Sequence, residues 1–366
     1  MQQLIVDPTV TQQRYVNVTA PIAFADLFRN SHVARKYYPI HSFGPMIPKD
    51  NNDDVDHYIP YFADKLKEAF EDGNSLKIQT YIVALGVTGH KNVITAFEPY
   101  IEGTEPATKF QRFLMVASLS FLARVQPKFV GPIFYKLYLN TQEDHELRCM
   151  AVHQLILTNP PVITLQRIAK FTNFDSSEQV SSVVKTTLES IAKTKQPEFR
   201  NLADKARSVR HLLNQKKFDS FNSRGFYKDL GHWILKGFNL QTVVGDDSRV
   251  PIYSHFGVNT IFDFHDQPTF ETGYAVSSFK QLYEKLKNWN WWENKEGSDE
   301  SQRSRVEKIA QALKIKPEYL DQFEGHFYVN TVFGFLFNPF DGHTLKKALF
   351  GEYPESHVKI ILLLNI

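Results

Sequence analysis

The sequence predicts an α+β chain: an α-solenoid horseshoe followed by the start of an antiparallel β-sheet region with inserted helices. Three observations predict it. From about Asp54 to Gln215 apolar residues recur at three- and four-residue steps, the spacing of one helical face. Breaks between those stripes return at a period of roughly 35 residues, the spacing of stacked helix pairs. After about Ser223 the apolar period drops to two, as in strands with one covered face.

The elements follow in order. Pro21 to Phe28 reads as a helix, and Tyr37 to Pro48 as an extended connection rich in Pro and aromatics. Asn51, Asn52, Asp53 and Asp54 form a polar break with N-cap candidates. The clearest stripes are Val93, Ile94, Phe97 and Ile101; Phe110, Phe113, Leu114, Ala117 and Phe121; and Val180, Val183, Val184, Leu188, Ile191 and Ala192. Gly89-His90, Gln126-Pro127, Asn159-Pro160 and Gln196-Pro197 punctuate them. A proline is tolerated in a first turn, so each of these prolines is expected to open a helix. Short polar breaks at Gly103–Pro106, Thr141–Glu143 and Asp175–Ser177 divide each interval into two helices. One pair cannot bury its apolar face alone, so stacking must stabilise it.

The change of period falls near Phe218–Gly225, which divides the chain into a helical superhelix over 1–222 and a sheet region over 223–366. In the second part Ile234, Lys236, Phe238 and Leu240 alternate with Trp233, Leu235 and Gly237; Ile252, Ser254 and Phe256 alternate with Tyr253, His255 and Gly257. The longest alternating run is His326 to Phe337, read as one strand with Phe327, Val329, Thr331, Phe333, Phe335 and Phe337 on one face. Helices are expected near Ser277–Lys287 and Asp299–Leu313, with a polar loop after the Trp cluster at Asn288–Gln302.

Composition narrows the function. The 366 residues are 42% hydrophobic and 22% charged, ordinary for a folded chain with a sizeable core. Aromatics reach 14%, with 30 Phe and 16 Tyr, which points to large apolar surfaces beyond a compact core. A net charge of +2 gives no argument for nucleic acid. The single cysteine, Cys149, has no partner for an internal disulfide. No apolar run has the roughly 18 residues of a membrane span. The opening MQQLIVDPTV has neither a basic n-region nor a long apolar h-region, so it is not read as a signal peptide.

No GxSxG, HExxH, GxxxxGK or GxGxxG occurs, and the SxxK at Ser277–Lys280 is a short match of the kind that arises by chance. No catalytic residue is therefore assigned. His145, Cys149 and His153 stand at i, i+4 and i+8 on one helix face and have the side chains of zinc ligands, but three ligands over two turns are more simply a buried thiol flanked by half-exposed histidines. The basic stretch Pro197–Lys217 could meet anionic groups, or be a solvated outer face. Asn17-Val18-Thr19 is an N-glycosylation sequon, Asn17 being its acceptor. The tentative lipid-facing residues are Phe327, Val329, Phe333, Phe335 and Phe337, with Ile252 and Phe256 as partners. An ordinary sheet covered by the solenoid would alternate in the same way.

Three segments carry a family resemblance. Ile78 to Gly103, IQTYIVALGVTGHKNVITAFEPYIEG, resembles the helical region of vitellogenins and related large lipid transfer proteins; so do Phe110 to Ala123, FQRFLMVASLSFLA, and Tyr135 to Ala192, in the family's order. Together they cover 98 of the 366 residues. Glu324 to Leu345, EGHFYVNTVFGFLFNPFDGHTL, resembles the early strands of the family's lipid cavity, as in an insect vitellogenin. The resemblance implies a two-layered helical horseshoe around sheets that enclose a lipid pocket, carriage of phospholipid and neutral lipid without cofactor or catalysis, and storage as a secreted yolk or haemolymph lipoprotein. It also implies partners outside these residues: an N-terminal barrel, further cavity sheets, a second copy of the chain, and an endocytic receptor. Apolipophorin and the microsomal triglyceride transfer subunit share this region, and a HEAT-like interaction scaffold would explain the helices but leave the Phe-rich strands idle.

Overall fold

The computed structural model describes residues 5, 7, 9, 13–30, 53–231, 234–245, 250–260, 270–278, 323–331 and 334–344. Among them the chain is α+β, with a helical array followed by one antiparallel sheet. The helices are α1 (Arg14–Phe28), α2 (Asp53–Glu71), α3 (Ser75–Thr88), α4 (Val93–Ile101), α5 (Lys109–Ser118), α6 (Ser120–Val125), α7 (Pro127–Leu139), α8 (His145–Leu157), α9 (Val162–Phe171), α10 (Glu178–Ile191) and α11 (Arg200–Val209). The strands are β1 (Arg224–Asp229), β2 (Leu235–Val244), β3 (Pro251–Thr260), β4 (Phe270–Val276), β5 (Glu324–Thr331) and β6 (Gly334–Asp341). They lie side by side in chain order, each antiparallel to the next.

Local chemistry fixes the helix ends. Thr108 and Gln111 form a reciprocal capping box on α5, while Asn74 and Ser177 cap α3 and α10 by accepting from Lys77 and Val180 backbone N–H groups. Gly89 closes α3 at φ +61°, a left-handed conformation that an L side chain adopts at a cost. Pro127 begins α7. Pro197 begins a single 3₁₀ turn that leads into α11.

The helices form two layers. α3, α5, α8 and α10 pack in series, with α2, α4, α7, α9 and α11 packed outside them. The inner members face helices on one side and the sheet on the other, with β6 on α3, β2 on α8 and β1 on α10. That position shows in burial. Ten consecutive residues of α8, Leu147 to Ile156, are buried, whereas the outer α9 buries only Leu165, Ile168 and Ala169. A helix buried on every side shows little amphipathic contrast, and a surface helix shows a stripe. Val184 and Leu188 of α10 are 1% and 0% exposed, so that stripe faces the core as its spacing predicts.

The long Phe-rich run is not one strand. β5 ends at Thr331, β6 starts at Gly334, and the two pair antiparallel with Thr331 opposite Gly334. The reversal changes parity. Phe337 lies opposite Tyr328 and Phe335 opposite Asn330, while Phe327 and Val329 lie opposite Asn338 and Leu336. Cross-strand partners share a face. The run therefore puts its Phe side chains on both faces of the sheet, which corrects the single-face reading. The helices expected near 277–287 and 299–313, the Trp-cluster loop and the connection at 37–48 lie outside the described residues.

Candidate functional site

The two faces of the sheet differ in chemistry. One face lies on the helical layer. It is built from Tyr227, Asn239, Gln241, Tyr253, His255, Glu271, His326 and Tyr328, residues that the strand register brings into one surface. Most are polar, and Asn239, Gln241, His255, Glu271 and His326 are buried. Phe335 and Phe337 join this face, and Phe337 is 3% exposed.

Contacts to the helices hold that face in place. Tyr253 meets Phe113 of α5 edge-on with centroids 5.6 Å apart, and Tyr227 meets Phe199 at 5.8 Å. Glu324 accepts from Gln111 Nε2 at 3.0 Å and from Thr108 Oγ1 at 3.1 Å, which sets a carboxylate at the N-terminus of α5, where the helix dipole favours it. Gln79 of α3 donates to the Phe340 carbonyl at 3.2 Å. Arg124, at the end of α6, donates to Glu271 at 2.9 Å, and both side chains are largely buried. His255 Nδ1 lies 2.5 Å from the Tyr328 hydroxyl, and Asn330 donates to the second oxygen of Glu271 at 3.0 Å. Burial alone pushes the Glu271 carboxyl up, but Arg124, His255 and the donated hydrogen bonds outweigh it and hold the group at about 2. Burial pulls His326 and His153 down to about 3, so both are neutral at ordinary pH. Two glycines make room in this layer: a Cβ on Gly273 would stand 2.9 Å from the Tyr328 ring, and one on Gly257 would stand 2.8 Å from the Asn239 amide.

The opposite face is mainly apolar and open, although Lys228, Thr272 and Asn338 share it by register. Phe226, Phe238, Leu240, Phe256, Phe270, Phe327, Val329 and Leu336 share it by register. Phe226, Phe270 and Leu336 are 41%, 36% and 51% exposed, and the others are half-buried. The rings of Phe226, Phe238 and Phe256 run in line across three strands at 5.9 and 5.8 Å spacing. A contiguous patch of this kind is larger than single exposed hydrophobics, which need no explanation, and it marks a surface that something covers.

The residues singled out from sequence divide accordingly. Phe256, Phe327 and Val329 lie on the open face. Phe335 and Phe337 lie on the helix-facing side, which corrects their placement on one face with Phe327 and Val329, because the hairpin reverses parity between Val329 and Phe335. Ile252 is 6% exposed and packed in the core, and Phe333 lies outside the described residues. The open face gains Phe226, Phe238, Leu240, Phe270 and Leu336. Alternation within each strand was visible, but which alternate set faces outward depends on register, and register needs the pairing.

His145, Cys149 and His153 all lie on α8 without converging. Eight residues at about 1.5 Å rise separate the outer two by about 12 Å, whereas ligands to one zinc sit about 2.0–2.3 Å from it. His145 Nε2 sits 2.9 Å from the Val244 carbonyl oxygen, and Cys149 is fully buried, its thiol pushed up by that burial. Among the described residues no group of three or more His, Cys, Asp or Glu could hold a metal ion, and His153, read as half-exposed, is 1% exposed. The basic stretch is mostly a solvated face: Arg207 pairs with Asp204, Lys216 with Glu178 at 3.0 Å, and Lys205 donates to the Asn159 and Pro160 carbonyls. Asn17 is half-buried within α1. No helix among the described residues is long and apolar enough to cross a membrane.

Comparison with known proteins is consistent with this layout. The vitellogenin TPR domain family matches residues 1–189. Vitellogenin-1 of Solenopsis invicta is 40% identical over 95% of this chain and 21% of its own length. Vitellogenin-2 of Periplaneta americana is 33% identical over 88% of this chain and 18% of its own. The chain thus spans about a fifth of the length of the curated relatives it matches. A solved lipovitellin structure, described for its lipid–protein interactions, shares the fold with a TM-score of 0.67 at 15% identity, covering 93% of this chain and 32% of that one.

Proposed function

The chain belongs to the vitellogenin family, and on that footing we propose that it forms the helical support and first lipid-contacting sheet of a secreted, yolk-type lipid carrier. The observation that carries the reading is the open apolar face from Phe226 to Leu336. The helices use their apolar stripes on each other and on the polar side of the sheet, so the remaining apolar surface of the sheet is free for acyl chains. Each Phe or Leu removed from water there contributes roughly 1.5–3 kcal/mol. The role is carriage of phospholipid and neutral lipid, and the chain's own residues bind and shield; none is assigned a chemical step. Further cavity sheets and an N-terminal barrel of the same protein complete the enclosure, and a second copy or a receptor would engage surfaces beyond this sheet. A pure interaction scaffold leaves the open face unexplained, since protein partners of a solenoid would dock on helices.

Substituting Phe238→Arg together with Phe256→Arg in the full-length protein tests the proposal. A charge pressed against acyl chains costs about 2–4 kcal/mol per residue. Phospholipid recovered per chain, measured as lipid phosphorus after purification, should fall, with the helical circular dichroism unchanged. Undiminished phospholipid in a folded double variant would move the lipid surface elsewhere.

A further inference from the structure

A cavity of about 700 Å³ lies between the helical layer and the sheet, on the side away from the open apolar face. Its two walls are unlike. Val87, Leu114, Phe121, Leu157 and Leu202 give it an apolar helical side. Asn239, Gln241, Asn259 and His326 line the sheet side, and Gln154 reaches in from α8. Asn159 is exposed while Gln196 and Lys236 are half-exposed, so the cavity opens at that rim.

Several polar groups on these walls have no protein partner. Gln154, Asn239 and His326 are 2%, 7% and 3% exposed. Gln154 Oε1, Asn239 Oδ1 and His326 Nδ1 make no hydrogen bond within the protein, and neither does Asn259 Oδ1. A buried polar atom left unmatched costs about 1–3 kcal/mol, so four around one space are matched by something within it. Charge narrows the class. Arg124 and Glu271, the ionised pair on the inner wall, neutralise each other at 2.9 Å, and Lys236, which also lines the cavity, stands at its half-exposed rim. Amide and imidazole groups both donate and accept, and so does a hydroxyl. A space of this size suits a ligand with a compact apolar body.

We infer that this cavity is a second binding site, for a neutral, hydroxyl-bearing amphiphile of sterol size, separate from the acyl-contacting face. The apolar body lies against Leu114, Phe121 and Leu202, and the hydroxyl is matched by Gln154 and Asn239. The interior selects against an anionic or zwitterionic head, which would bring unbalanced charge beside the closed Arg124–Glu271 pair, the cation Lys236 being confined to the rim.

The test uses the full-length protein and a photoactivatable cholesterol analogue with its diazirine on the ring system. Labelled peptides should contain Leu114–Arg124 or Gln154–Asn159, and excess cholesterol should abolish the labelling. Gln154→Leu should weaken it about tenfold, the effect of one buried hydrogen bond. Ala117→Leu, which narrows the lumen, should do the same, and both variants should keep their phospholipid. Labelling confined to the open face of β1–β6, or labelling in the helical peptides that excess cholesterol does not compete, would mean that water alone satisfies these groups and would overturn the site. Loss of phospholipid carriage with cavity labelling intact would instead count against the proposed function.

Discussion

Replacing Arg148 by methionine should destabilise the helical array by about 3–5 kcal/mol, the cost of breaking a buried ion pair from one side. The Arg148 and Asp175 side chains are 2% and 1% exposed. The guanidinium donates twice to the carboxylate, at 3.1 and 2.5 Å, and its Nε donates to the Tyr138 carbonyl at 2.9 Å. One side chain of α8 thereby ties the end of α7 to the turn before α10. Asp175 also accepts from the Ser177 backbone N–H at 3.0 Å, so the pair sets the entry to α10. Methionine fills much of the space but leaves a buried carboxylate without its counter-ion. Urea unfolding followed by helical circular dichroism reads the loss. Arg148→Met combined with Asp175→Leu should regain part of it, because two apolar side chains leave no stranded charge. A single variant as stable as the parent would show that the pair does not fasten the repeats.

Glu271→Gln should loosen the sheet from the helices with a comparable cost at neutral pH, and it should flatten the acid limb of stability. The carboxyl sits at about 2 in the fold against an ordinary 4.5. A folded value below the unfolded one stabilises above the unfolded value and loses that contribution as pH falls. For Glu271 the loss runs from about 4.5 down to about 2. His153 and His326 act in the same direction through burial, held near 3 against 6.5, so their loss begins below about 6.5. Stability should therefore decline on acidification from about pH 6.5 and steepen below about 4.5. The Gln variant should keep the first part of the slope and lose much of the second, as read from urea midpoints across pH. An unchanged slope below 4.5 would show that Glu271 is not the group responsible.

Much of this arrangement is written locally. Helix stripes such as Val180 to Ile191 and openings such as Pro127 depend on neighbours within a few residues, and they are readable from the chain alone. The faces of the sheet are not, because face is a matter of pairing. From His326 to Phe337 the alternation continues through a reversal whose local mark is Gly334, at φ +144°. The polar inner face has no such mark. His255, Glu271 and His326 alternate with apolar neighbours as solvent-facing residues would, yet they meet helices more than 100 residues away, as Arg124 meets Glu271. Polar residues in a strand announce water or a partner equally, and only tertiary packing decides.

Acyl chains should contact the open face of this sheet and not the helices. Photo-crosslinking of the full-length protein with a phospholipid carrying a diazirine in its acyl chain, followed by peptide mapping, tests it most directly. Labels should fall at Phe238, Leu240, Phe256 or Val329, and none at Phe335 or Phe337. Labels confined to the helices between Asp53 and Val209, or concentrated on Phe335 and Phe337, would contradict it.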